Sequence, residues 1–365
     1  MKITKVHVLH ENLELTRPYT IAYKTISAVE NVFLVLELAD GTRGVGCAAP
    51  APAVTGETTL DALHALRDTV EPLLHGADIR YLPALLERAR AALPGCPAAL
   101  AAVDIALHDA FTRHLGVRLV DWWGAVYQGL PTSITIGILP LDETLAQARE
   151  HLAAGFRAIK LKTGRGVEED VAVFRRLRET VGPHITIRVD ANQGYVPSDL
   201  TAFAAATAEA DVEFHEQPFP AGHHRGDVKD GGGPAAQLSL PPELRRRCAA
   251  DEDLHDATDA QRLLIEPRPY GIFNIKLMKC GGVTEARRIA DLARRADTEL
   301  MWGCNDESIV SITAALHAAL ACPATRYLDL DGSLDLARDL VTGGFILHDG
   351  YLSAGEGNGL GVEMI

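Results

Sequence analysis

FRAIKLKTGRGVEEDVAVFRRLRETVGPHITIRVD, residues 156–190, decides the fold. It opens on a short apolar run ending in Lys160-Leu161-Lys162. A glycine-bearing turn then leads into VAVFRRLRETVG, which has helical character, and a second apolar run closes on Asp190. Strand, helix and strand in that order make a parallel βα unit. The rhythm continues on both sides. SITIGI (133–138) and a helix from Asp142 to Ala154, stopped by Gly155, precede it. A helix near 198–209, VEFHEQP, RRCAADED, GIFNIKLMKCGG, a helix near 283–296, ELMWGC, a helix near 308–320 and RYLDLDG come after it. Eight strands is the number that closes a barrel, and no G-x-G-x-x-G succeeds the first one, as a doubly wound dinucleotide fold would require. The expectation is an α/β barrel over residues 126–335.

Outside the barrel the pattern changes. VFLVLEL (32–38), the hairpin signal Asp40-Gly41 and a strand through Cys47 predict antiparallel sheet. From Thr59 to Leu119 the chain is alanine- and leucine-rich, broken at Pro83 and Pro94–Pro97 and closed after Leu115 by Gly116. Residues 1–125 therefore read as an α+β unit, and the tail 336–365 is expected to pack back on it. The Gly- and Pro-rich stretch 221–240 reads as a loop insertion. Its His223-His224 pair reads as solvated rather than metal-binding, because no matching ligands lie nearby.

Composition narrows the function. A net charge of −14 with 5% aromatic residues offers neither a phosphate-neutralising face nor a stacking platform, so nucleic acid is not an expected partner. No run is long and apolar enough for a membrane span, and the N-terminus lacks the apolar core of a signal peptide, so a cytoplasmic protein is expected. Six cysteines without a Cys-x-x-Cys pair suggest reduced thiols rather than a disulfide framework or zinc site. A homo-oligomer is compatible with all of this.

Active sites of barrels sit at the C-terminal ends of the strands. The polar residues there form a coherent set: Lys160 and Lys162 on strand two, Asp190 on three, Glu216 on four, Asp251 on five, Lys276 on six, and Asp329 and Asp331 on eight. Asp190, Glu216 and Asp251 arrive from consecutive strands and offer hard oxygen ligands without cysteine or histidine, which suits Mg²⁺. Period-two alternation puts Lys160 and Lys162 on one face, and Lys276 comes from the opposite side of the ring.

Lys-x-Lys, Asp190-Ala191-Asn192, Glu216-Gln217-Pro218, Ala250-Asp251-Glu252 and Asn274-Ile275-Lys276 together resemble the muconate-lactonising-enzyme subgroup of the enolase superfamily, over nearly the whole chain. The resemblance implies a (β/α)7β TIM-like barrel with an α+β capping domain built from the N-terminus and the C-terminal tail. It implies that Asp190, Glu216 and Asp251 hold Mg²⁺, which grips a substrate carboxylate. Lys162 and Lys276 would then be the two bases that take and return an α-proton on opposite faces, with Lys160 a carboxylate contact that also disfavours the ammonium form of Lys162.

Asp329-x-Asp331 resembles the motif with which dipeptide epimerases, such as those acting on L-Ala-D/L-Glu, bind the free amino group of their substrate. The expected activity is thus a Mg²⁺-dependent isomerase inverting the C-terminal residue of a dipeptide. Thr135 and Asn305, at the ends of strands one and seven, are further expected substrate contacts. Lys24, a further expected substrate contact, lies about where relatives acting on Ala-Glu carry an arginine, which makes an acidic second residue one alternative. Tyr19, Ile21, Tyr23, Ala53 and Val54 suggest broad, apolar-tolerant specificity, whereas Asp306 points to a cationic partner. The alternatives are an N-acylamino-acid racemase, an o-succinylbenzoate synthase or a muconate cycloisomerase of the same subgroup. The first two leave Asp329 and Asp331 without a role. A non-catalytic acid-binding barrel is the alternative outside the subgroup.

Overall fold

The computed structural model describes residues 1–21, 24–222 and 233–365, with the backbone alone described at 19–21 and 24–25. Eight parallel strands run in chain order around a ring: Ser133–Ile136, Ala158–Lys162, Thr186–Asp190, Val212–Glu216, Cys248–Ala250, Ile272–Ile275, Glu299–Gly303 and Thr325–Asp329. The eighth meets the first through the parallel bridge Thr132↔Leu328, and the Leu330 N–H donates to Thr132 Oγ1. No helix succeeds the eighth strand. The chain continues instead into short antiparallel pairs, Val341–Gly343 with Val362–Met364 and Phe345–His348 with Tyr351–Ala354.

Register, more than topology, sets the level at which the strand ends meet. Lys162 pairs with Asp190 and Asp190 with Glu216, so three chemically distinct ends arrive at one level of the ring. Below them the barrel is filled rather than open. Phe214, Ala249, Ile272 and Met301 form a separate buried cluster, and the Arg188 guanidinium lies 5.3 Å and 5.2 Å from the Phe214 and Tyr327 ring centroids while donating to the Leu328 carbonyl oxygen.

The cap begins with the antiparallel sheet Ile3–Ile21, Lys24–Leu38 and Arg43–Ala48. Gly44 and Gly46 let helix Pro97–Leu115 lie directly on this sheet: a Cβ at Gly46 would stand 1.9 Å from the Ala102 carbonyl oxygen. Gly116 ends that helix in a left-handed conformation with φ of 72°, as its position after Leu115 predicts.

Cap and barrel are joined by directed hydrogen bonds rather than by packing alone. Asp104 accepts from the Val283 and Thr284 N–H groups at the start of helix Val283–Arg295. Asn31 accepts from the Ser308 N–H, and Thr16 donates its N–H to the Asp335 carbonyl oxygen at 2.7 Å. The tail is tied to the cap helix by the Leu360 N–H on Asp109. Among the described residues no helix is long and apolar enough to cross a membrane.

Candidate active site

The cap closes over the barrel mouth to leave a cleft of about 820 Å³. Its floor is the ring of strand ends. Thr135, Lys160, Lys162, Asp251, Lys276, Asn305, Asp329 and Asp331 all line it, and Asp190 and Glu216 lie directly beneath, bonded to Lys160.

The lysines differ in how they are held. Lys160 lies 3.0 Å from Asp190 Oδ2, 2.8 Å from Glu216 Oε2 and 2.9 Å from Asp329 Oδ2. Burial opposes its charge, but Asp329, Glu216 and Asp190 outweigh burial and hold it well above the usual lysine range. Lys162 has one carboxylate, Asp190 at 2.7 Å, and Lys276 has one, Asp251 at 2.8 Å. Lys279, which lies beyond the strand ends that alternation singles out, bonds the other oxygen of Asp251.

Six carboxylates (Asp190, Glu216, Asp251, Glu252, Asp329, Asp331) thus face four ammonium groups (Lys160, Lys162, Lys276, Lys279). The surplus acid is visible in the protonation behaviour. Burial opposes the charge of Asp190, yet Lys162 and Lys160 hold it down at about 2. Burial, then Asp190, push Glu216 up to about 7. Burial and Asp251 push Glu252 to about 8, and burial and Asp329 push Asp331 to about 7.

A deficit of two positive charges is what a divalent cation supplies, and the donors are hard oxygens. Buried acceptor atoms at the floor also want partners. Glu252 Oε2 and Asn192 Oδ1 have no hydrogen-bond donor, and Glu216 Oε2 contacts Lys160 without hydrogen-bond alignment. Among the described residues no three histidine, cysteine or acidic side chains already surround one point, because the acids are turned to the lysines instead. The residues fit Mg²⁺ by donor chemistry and by charge.

The two acids of the eighth strand are not equivalent. Asp329 accepts from Lys160 and from Ser133 Oγ at 2.5 Å, so it is engaged within the floor. Asp331 accepts the Thr135 backbone N–H at 2.7 Å and keeps its other oxygen 3.9 Å from Cys304 Sγ. Thr135 therefore acts on the site through its main chain, steering Asp331. Ser133 and Asn274, the latter donating to Glu216 Oε1 at 2.9 Å, are further supports that strand alternation alone did not single out.

The wall of the cleft comes from elsewhere. Ala49–Val54 and Glu30 come from the cap, Asp306 from the loop after strand seven, Asp335 from the segment after strand eight, and Glu150 and His151 from helix Leu141–Ala153. Arg17 reaches across from the cap to Glu150 at 2.7 Å. Lys24, Tyr19, Ile21, Tyr23 and the His223-His224 pair lie outside the described side chains.

A capped α/β barrel whose strand ends carry opposed lysines over convergent acids is the architecture of the enolase superfamily. The chain belongs to its mandelate racemase/muconate lactonizing enzyme family: the family's N-terminal domain matches residues 3–124, and the enolase C-terminal domain-like profile matches residues 143–365. It is similar to the L-Lys-D/L-Arg epimerase of Desulforapulum autotrophicum, 53% identical over 100% of both chains, and to that of Methylococcus capsulatus, 51% identical over 99% of both. A crystal structure of the Methylococcus dipeptide epimerase, complexed with Mg and the dipeptide L-Arg-D-Lys, superposes with a TM-score of 0.94 at 50% identity and 99% coverage of each chain.

The chain is thus an isomerase of the dipeptide-epimerase group, with magnesium as its metal. The apolar-tolerant specificity expected from Tyr19, Ile21, Tyr23, Ala53 and Val54 is not the one for which the two L-Lys-D/L-Arg epimerases are named. Beside Ala53 and Val54, the wall of the cleft carries Glu30, Glu150, Asp306 and Asp335.

Proposed function

We propose that this protein epimerises the C-terminal residue of dipeptides carrying cationic side chains, the L-Lys-L-Arg type. One observation carries the preference. Above the floor, the charged groups lining the cleft among the described side chains are Glu30, Glu150, Asp306 and Asp335 against Arg17 and a His151 whose burial lowers its pKa. Such a wall attracts ammonium and guanidinium groups and repels a carboxylate side chain.

The floor then divides the work. Asp190, Glu216 and Asp251 would hold the magnesium. With the ion bound there, the substrate carboxylate gains a counter-charge for the negative charge that grows on it as the α-proton leaves. Asp331, steered by the Thr135 N–H and pushed up by burial and then by Asp329, receives the α-ammonium of the first residue in its charged form. Lys160 stays among the acids as their counter-ion.

Lys162 and Lys276, each held by a single carboxylate, turn to the α-carbon from strands two and six. The lysine that is neutral takes the α-proton onto its Nζ, and the other, present as the ammonium, delivers a proton from its own Nζ to the opposite face, so configuration inverts and the proton count balances. Holding both lysines on a rigid ring fixes the two faces they can reach.

Solvent-deuterium exchange, followed by NMR, tests the reading with L-Lys-L-Arg, L-Ala-L-Glu, L-Leu-L-Tyr and N-acetyl-L-Lys-L-Arg. Exchange with kcat/KM about tenfold or more above the rest is expected for free L-Lys-L-Arg, a difference of about 1.4 kcal/mol. Equal turnover of the apolar dipeptide would overturn the cationic preference. Equal turnover of the acetylated one would overturn the ammonium site at Asp331 and favour an N-acylamino-acid racemase.

A further inference from the structure

Lys279 has no part in the proton transfer, yet it is more deeply buried than Lys276, which precedes it by one turn. It sits in the short helix Leu277–Cys280 and is 3% exposed. Its ammonium donates to Asp251 Oδ1, to the Asp251 carbonyl oxygen and to the Asn274 carbonyl oxygen. An ammonium has three protons, so all of them are used. Lys276 reaches only the other carboxylate oxygen, Oδ2, at 2.8 Å. The Asp251 N–H is in turn fixed on Gln217 Oε1 at 2.9 Å. The two lysines divide one carboxylate oxygen by oxygen, one through a saturated contact and one through a single bond.

We propose that Lys279 is a positioning residue that permanently occupies Oδ1 of Asp251 and leaves only Oδ2 for a metal ion. The inference rests on the assignment of Asp251 as a magnesium ligand. Detaching Lys279 would strand a buried charge and three acceptors, whereas Lys276 leaves one contact when it turns to substrate. The consequence is selectivity. Mg²⁺ demands near-octahedral geometry at short distances, while Ca²⁺ takes more oxygens and readily accepts both atoms of a carboxylate. A carboxylate restricted to one oxygen therefore favours the smaller ion, and Lys279 is the residue that imposes the restriction.

Calorimetric titration of the metal-free protein with MgCl₂ and with CaCl₂ tests this without recourse to turnover. Lys279→Met is expected to raise the ratio of calcium to magnesium affinity about tenfold, within the effect usual for residues that orient a ligand. Lys276→Met, which frees Oδ2 alone, should change both affinities in parallel and leave the ratio where it was. Asp251→Asn should weaken both ions. An unchanged ratio in folded Lys279→Met, with Asp251→Asn still weakening binding, overturns the role of Lys279. Wild-type magnesium affinity in Asp251→Asn overturns the ligand assignment instead. Should Lys279→Met fail to fold by circular dichroism, Lys279→Leu, which likewise has no donor for Oδ1, carries the same test. An unchanged ratio there overturns the proposal equally.

Discussion

The floor of the cleft and its wall are built by different rules. Floor residues end strands whose register the barrel ladder fixes, and they are nearly inaccessible: Asp190 is 1% exposed and Lys160 4%. Every floor lysine has a bonded acid. Wall residues come from cap strands and a cap loop, two inter-element segments and a helix face. Their ion pairs stand in solvent, as in Arg17–Glu150, where the partners are 62% and 56% exposed. Chemistry that tolerates little misplacement sits on the rigid part, and the choice of side chain sits on the part that can vary.

If that division is correct, substitutions should grade from floor to wall. The largest effect belongs to the acid cluster. Asp190→Asn or Glu216→Gln removes a charge that would hold the metal, and with it the cation that would offset the developing negative charge, so activity should fall on the order of 10³-fold. Chelation with EDTA should do the same and be reversed by added Mg²⁺. Retention of activity under full chelation would break the comparison at its base.

Asp331 stands at the junction of floor and wall, and its effect should be intermediate. Asp331→Asn leaves a buried ammonium without its carboxylate, so kcat/KM for free dipeptides should drop about 10²-fold, roughly 3 kcal/mol. Its own protonation gives a sharper signature. Burial and the neighbouring Asp329 push Asp331 up to about 7 in the free enzyme, and the substrate ammonium requires the charged form. Dipeptide affinity should therefore be full above pH 7 and fall as pH drops through 7. It should decline again as the dipeptide amine, near pKa 7.7–8.0, loses its own proton. In Asp331→Asn the acidic limb should disappear, and KM measured across pH 5.5–9 decides.

The smallest effects belong to the wall. Asp306→Asn and Glu30→Gln, one at a time, should each lower kcat/KM for L-Lys-L-Arg by only about twofold to fivefold, since partly solvated charges contribute about 1 kcal/mol or less. Turnover of an apolar dipeptide should be unchanged or slightly raised. A wall substitution that abolished all turnover would mean that the wall does more than select.

The same division explains what is legible in the sequence. Floor residues can be placed from the sequence alone because strands have a period of two and βα repeats have a near-constant length, which locates Lys160, Lys162, Asp190 and Glu216. Support from off-strand or main-chain groups cannot. Lys279 lies in a helical turn whose inward direction depends on how Leu277–Cys280 docks, although its place three residues after Lys276 is a signal that helical spacing could expose. Thr135 works through an N–H that carries no sequence signature. The wall is less legible for a related reason: Glu30, Glu150, Asp306 and Asp335 meet only after cap and barrel associate, while Ala53 and Val54 sit together in one loop and suggest an apolar pocket by themselves.

The central claim, two lysines each confined to one face of the α-carbon, is tested most directly by solvent-deuterium exchange in Lys162→Ala and Lys276→Ala, with L-Lys-L-Arg and L-Lys-D-Arg supplied separately and followed by NMR. Neither variant should interconvert the diastereomers. Each should still exchange the α-proton of one of them, and the two preferences should be reciprocal, because the surviving lysine reaches only its own face. Exchange of the same diastereomer by both variants, or interconversion of both at near wild-type rate by either, would contradict the two-base arrangement.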